Sequence, residues 1–262
     1  MVGGILAGLV DLRRVFLLTA GFYAAGLVIV HVLYDDRATH AAPVDPAETG
    51  RVTFRDVLAF QNFVLMMVVI FGLQFVDRSF GPVLPLWVER SGVAPGRVAL
   101  TSGVLFSIMA IAGALGHHFC GRLLRRYASR AVIAGGMALA AAASAVFGAS
   151  GNFWIMSAAS LLLGLGIGAA MTASFSAAGA VIPPGAHGAG FGVLTSASLV
   201  GMASSPFIAG FLGGASLRVV FFVDAALFAA LAVSVQRLMT IAPIASAHRR
   251  SLVDADVRPG AG

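Results

Sequence analysis

The chain has no lysine: all 17 of its Lys-plus-Arg residues are arginines. That absence excludes a retinal chromophore, whose Schiff base needs a Lys amine, and a Walker-type phosphate loop, which needs a Lys after its glycines. Cysteine is nearly missing too, and the single Cys120 excludes an internal disulfide while saying little about redox compartment. Charge of either sign is scarce, at 11% of 262 residues, against roughly a quarter in a soluble domain. A soluble domain of this length could bury a sizeable core but could not cover its surface with so few charges. Hydrophobic residues fill the gap, at 59%, with a mean hydropathy of +0.94. Most of the surface must face lipid, and the fold class is an all-α membrane protein. No secretory signal is evident, because Met1 to Gly8 is short, uncharged and followed directly by another apolar segment.

A helix that crosses a bilayer needs about 20 mostly apolar residues. Seven stretches qualify, roughly 14–34, 57–88, 98–121, 131–149, 153–182, 189–213 and 218–237. The polar run from Arg37 to Asp56, with Pro43 and Pro46, is the only long loop before the tail. Thr53 followed by Asp56 has the form of a capping box, which predicts a second helix beginning near Phe54. Other connections are short: Ser91 to Arg97, Arg122 to Arg130, Ser150 to Asn152, Pro183 to Gly188 and Gly214 to Leu217. From Thr240 onward no long apolar run remains, and a mobile tail is expected.

The net charge of +6 does not point to nucleic acid, because the arginines sit at span ends. One side of the membrane holds Arg37, Arg51, Arg55, Arg122, Arg125, Arg126, Arg130, Arg237, Arg249, Arg250 and Arg258. The other holds Arg13, Arg14, Arg90, Arg97 and Arg218. The positive-inside bias makes the first set cytoplasmic, with the C terminus inside. Seven spans then put the N terminus outside, which is awkward for a natural start without a signal.

An internal repeat organises these spans. Arg13 to Val30, RRVFLLTAGFYAAGLVIV, aligns without gaps on Arg218 to Val235, RVVFFVDAALFAALAVSV. Arg13, Val15, Phe16, Ala20, Ala24, Ala25, Val28 and Val30 match residues 205 positions later. The Arg-x-Val-Phe start is the telling part, since alanine and valine are common throughout. The same offset pairs Gly8 with Gly213 and Met1 with Pro206, inside the sixth span, so the chain is expected to start in the middle of a repeat.

An offset that spans six helices resembles the paired six-span repeats of the major facilitator superfamily. Val2 to Phe16, VGGILAGLVDLRRVF, looks like that family's passage from helix 5 into helix 6, and Arg37–Asp56 is similar to its central cytoplasmic loop. Gly121 to Arg130, GRLLRRYASR, resembles the second copy of the family's cytoplasmic Gly-x-Leu-x-Asp-Arg-x-Gly-Arg-Arg signature. Gly121, Leu123, Arg126 and Arg130 match it. Arg125 stands at the acidic position, Ala128 at the second glycine and Ser129 at the first paired arginine, which counts against a charge relay there. Gln74 to Glu89, QFVDRSFGPVLPLWVE, looks most like the drug/proton antiporter branch.

The resemblance implies an incomplete major facilitator fold. Residues 1–34 would be the end of helix 5 and helix 6 of the first bundle, and 35–56 the central loop. Residues 57–238 would be the complete second six-helix bundle, helices 7 to 12, and 239–262 a cytoplasmic tail. It also implies transport of small drug-like or sugar-like molecules, with export driven by an inward proton gradient across the plasma (inner) membrane, by alternating access. Partners would be lipid, substrate, protons, and either a missing N-terminal half or a second chain; no nucleic acid and no cofactor is expected. An inactive fragment or a half-transporter is the competing reading. A seven-helix receptor would not predict the repeat, and a membrane enzyme would need more embedded catalytic groups.

Asp77 and Arg78 lie between apolar runs, ahead of Gly81-Pro82 and Pro85. An ionised side chain at mid-helix costs about 2.5–3.5 kcal/mol on insertion scales, so such residues face a cavity or a partner. Asp77 would bind protons or cationic substrate with Arg78 as neighbour or gate; a structural ion pair is the plainer reading. Gln61, Asn62 and Gln74 are candidates for the same cavity, or for helix-to-helix hydrogen bonds. Asp224, in the last span, reads first as an outer-end residue bonded to a neighbouring helix and second as a proton site. His117, His118 and Cys120 do not make a metal site, since only His117 and Cys120 share a helix face and a tetrahedral centre needs four ligands. Gly164-x-x-x-Gly168, Gly188-x-x-x-Gly192 and Gly210-x-x-x-Gly214 have the spacing of close helix packing in lipid.

Overall fold

A computed structural model of the chain describes residues 12–33, 59, 62–183 and 186–239. Among them all regular structure is helical: α1 Leu12–Leu33, α2 Phe63–Arg90, α3 Pro95–Arg126, α4 Ser129–Ala149, α5 Phe153–Val181, α6 His187–Ala215 and α7 Leu217–Leu238. The helices α2 to α7 are long and apolar enough to cross a membrane, while the described apolar stretch of α1 is the shorter Phe16–Val32. The 205-residue offset reappears in the element bounds, since it carries Leu12 onto Leu217 and Leu33 onto Leu238.

Local chemistry sets most boundaries. Pro95 opens α3 at a position where its missing N–H has no helical partner to lose. The Asn152 side chain caps α5 by accepting from the backbone N–H of Trp154 at 2.9 Å and Ile155 at 3.4 Å. Only Tyr127 and Ala128 separate α3 from α4, so Arg122, Arg125, Arg126 and Arg130 sit on helix ends rather than in the longer loop expected from sequence. Three of them end α3, where the macrodipole favours positive charge. The described α2 begins at Phe63, and Phe54, where a second helix is expected to begin, lies outside the described residues. Asn62 holds a left-handed φ of 61°, which ends any helix arriving from upstream. Thr53, Asp56 and the tail from Thr240 lie outside the described residues.

Lipid is as apolar as leucine, so helices in a membrane associate through close contact rather than through escape from water. The principal pairs are α3 with α5, α4 with α5, α4 with α7, and α2 with α6. Glycine makes the closest of these possible. A Cβ on Gly136 would sit 2.7 Å from the Gly166 carbonyl oxygen, and one on Gly116 would sit 2.6 Å from that of Leu165. Of the three spaced glycine pairs read from sequence, only Gly164 and Gly168 are used this way, against the backbone of Met109 and Gly113 on α3. A Cβ at Gly188, Gly192, Gly210 or Gly214 would meet nothing within 4 Å. Those four glycines stand at open surface, and their spacing does not mark a contact here.

Near one end the bundle is filled by an aromatic cluster. Phe147 of α4 stacks on Phe221 of α7 with centroids 5.6 Å apart, and Phe80 and Trp87 of α2 meet Phe221 at 5.3 and 5.7 Å. Phe221→Ala would leave a hole among three rings. In lipid the transfer part of the usual penalty is small, and lost packing alone is worth about 2 kcal/mol. Denaturant titration in mixed micelles is expected to show that loss.

In α1 every side chain with a described environment from Phe16 to Val32 is exposed apart from the position of Gly26. The other least covered helices are α3 and α6, with 22% of their apolar windows buried against 56% in α2, α4 and α5.

Candidate functional site

The middle of α2 carries Asp77 and Arg78, with Pro82 and Pro85 in the turns that follow. Pro82 removes the N–H that the Arg78 carbonyl would accept, and Pro85 does the same to Gly81. The turn holding Asp77 and Arg78 is therefore tied less tightly to the next turn than in an unbroken helix. Opposite it, the glycine contacts bring α3 close to α5, and a cavity is left between α2, α3 and α5. Its volume is ≈ 570 Å³, within the range of small-molecule sites. Asp77, Arg78 and Gly81 line it from α2, Phe106, Ser107, Met109 and His117 from α3, and Ile167 and Gly168 from α5.

Charge in this cavity is loosely held. Arg78 Nε lies 3.6 Å from Asp77 Oδ2, with side chains 52% and 33% exposed. So open a pair is worth at most about 1 kcal/mol and exchanges partners easily. His117 Nδ1 lies 2.6 Å from the Thr172 hydroxyl oxygen of α5. The bond fixes the ring while using one of its two nitrogens. A carboxylate, a guanidinium and an imidazole thus converge on one space that contains a hydroxyl, Ser107, and is otherwise mostly apolar. Such a set can hold a cation or a proton, and can pass a proton between carboxylate and imidazole through water.

The other residues expected at the site are not brought there. Asn62 stands at the N-terminal boundary of α2, fifteen positions before Asp77, or roughly 22 Å along a helix. Gln61 lies outside the described residues. Gln74 is half-buried but does not line the cavity. Asp224 is buried behind α2, where Ser79 lies 2.5 Å from its Oδ2. This is the neighbouring-helix bond that the sequence favoured for it. Ser79 is two residues from Asp77, about 200° around the helix, so the two acids occupy opposite sides of α2.

Sequence reasoning missed His117 as a partner of Asp77. Forty residues separate them, and they share a site only because α2 and α3 line the same cavity, an arrangement with no local signal. Cys120, one turn on, is buried with its thiol 3.4 Å from the Ala169 carbonyl, while His118 stacks edge-on to Phe119. The segment Gly121 to Arg130 falls on two helix ends. Gly121, Leu123 and Arg126 close α3, and Arg130 opens α4. Leu123 lines a separate apolar hollow with Phe119 and Tyr127, and Arg122 stands over the Phe119 ring at 5.2 Å. Among the described residues the only ion pair is Asp77 with Arg78, so no acid answers these arginines there.

A search of curated proteins finds no match to the chain. A family model does match, over residues 1–147 and again over 101–256. On that match the chain belongs to the Major Facilitator Superfamily.

Proposed function

We propose that the chain supplies the second bundle of a proton-coupled exporter, with its substrate and proton site in the cavity between α2, α3 and α5. Membership of the family makes it a multi-pass membrane transport protein for small molecules; the rest of this reading is ours. The observation that carries it is the convergence of Asp77, Arg78 and His117 on one cavity. Under it α2–α7 are the second six-helix bundle and α1 is the last helix of the first. Residues 35–56 are the central cytoplasmic loop, and residues 239–262 a cytoplasmic tail at the plasma membrane. A mostly apolar cavity with one accessible acid suits drug-like lipophilic cations better than sugars, which need many hydrogen-bonding groups.

Alternating access needs a second bundle for this one to rock against. The sparse cover on α3 and α6 supports those faces as the ones that meet it, whether it comes from further sequence or from another chain. Proteoliposomes holding the chain, with and without a co-expressed first bundle, test both ideas. Tetraphenylphosphonium movement driven by an imposed pH gradient and collapsed by a protonophore is the expected result. Movement indifferent to the gradient would sink proton coupling, and equal activity without the added bundle would sink the need for it.

A further inference from the structure

We infer that Asp224 holds a proton in a second, closed site, separate from the cavity, and that this proton fastens α7 to α2. Asp224 is the one buried charged residue among those described, only 1% exposed. Its hydrogen-bond partner is Ser79, whose Oγ lies 2.5 Å from Asp224 Oδ2 and 2.8 Å from the carbonyl oxygen of Val76. A hydroxyl has one proton and cannot donate fully to both acceptors. Both short contacts are satisfied together when the carboxyl carries the proton: Asp224 donates to Ser79 Oγ, and Ser79 donates to the Val76 carbonyl. With an ionised Asp224 one of the two acceptors goes without.

The surroundings exclude the usual alternative, a buried ion pair. The helices packed on α7 are α4, α2 and α6. The one ionisable side chain of α4 is Arg130, and that of α6 is His187, each at the opposite end of its helix from Asp224's level. On α2, Asp77 and Arg78 face the cavity, while Glu89 and Arg90 sit at the helix end. Arg218 of α7 itself lies over the Trp87 ring at 5.6 Å, and Arg237 is in the last turn. A carboxylate without a cation in this interior is heavily penalised, whereas a carboxylic acid with a hydroxyl partner is not.

Because Asp77 and Ser79 share one turn of α2, the cavity pair and this latch sit on opposite sides of the same piece of helix. Loss of the proton would loosen the seam behind that turn. The latch does not depend on the cavity reading, and the test separates the two. Infrared difference spectra of the full chain in nanodiscs, titrated from neutral to high pH, should contain a protonated-carboxyl C=O band. The band is expected to vanish in Asp224→Asn, to persist in Asp77→Asn, and to shift to higher frequency in Ser79→Ala as its hydrogen bond is lost. Ser79→Ala keeps the acid, so it remains decisive if Asp224→Asn does not fold. A band untouched by both Asp224→Asn and Ser79→Ala would overturn the proposal, as would one removed by sodium at fixed pH.

Discussion

Gly168→Leu is expected to leave no folded bundle. At this position α5 meets the backbone of Gly113 on α3, so no flexible side chain can swing aside to admit a branched one. The helices would have to separate, and overpacking of even flexible cores costs about 1–3 kcal/mol or more. Separation would also spoil the neighbouring contacts at Gly116 and Gly164 and open the wall of the cavity that Gly168 lines. Size-exclusion profiles and SDS-titration midpoints check this, with Gly135→Leu as the control. A Cβ at Gly135 meets nothing within 4 Å, so its cost should stay within about 0.5 kcal/mol. A Gly168→Leu protein as stable as that control would disprove the close α3–α5 seam.

The second large effect is on energy coupling. Asp77→Asn keeps the shape of the side chain and removes its capacity to carry a proton and its charge. One proton moved through 100 mV supplies about 2.3 kcal/mol, or roughly a fiftyfold accumulation ratio. Asp77→Asn is expected to forfeit a gain of that order while leaving exchange of substrate at equal concentrations largely intact. Asp77→Glu should restore part of the gradient-driven component. Counterflow measured beside gradient-driven uptake separates these outcomes, and an Asn variant that still concentrates substrate would remove Asp77 from the coupling path.

Much of the fold is legible along the chain because each span writes its own length and polarity into its residues. The bounds of α4, α5 and α7 fall within a residue or two of the apolar runs that predict them. The repeat linking Arg13–Val30 to Arg218–Val235 points to the family. The start of α2 is harder to read, because Thr53 and Asp56 look like a cap by spacing alone. Thr53 and Asp56 lie outside the described residues, and the left-handed φ of Asn62 just before Phe63 is a backbone angle that its identity merely tolerates. The site is legible only in part. Asp77 and Arg78 stand out because charge in an apolar run is costly. His117 does not, because its role depends on which helices touch. The glycine pairs show the same limit: the spacing of Gly164 and Gly168 is repeated by Gly188 and Gly192, yet only the first pair has a partner helix against it.

The order of contacts along the chain has a consequence for how the protein is made. Contacts within the group α2, α3 and α4 are sparse, and each of the principal pairs joins one of these helices to α5, α6 or α7. When α4 leaves the ribosome, the glycine faces of α3 and α4 still lack the helix they fit. The last residue of α7 comes 89 residues after the end of α4 (238 − 149), which at typical synthesis rates is roughly 5–20 s. Through that interval the nascent half-bundle must be held by lipid, by the insertion machinery or by a membrane chaperone. Chains released before α5 emerges would present their unpartnered faces to membrane proteases, so nonsense mutations between α4 and α5 should yield almost no surviving product.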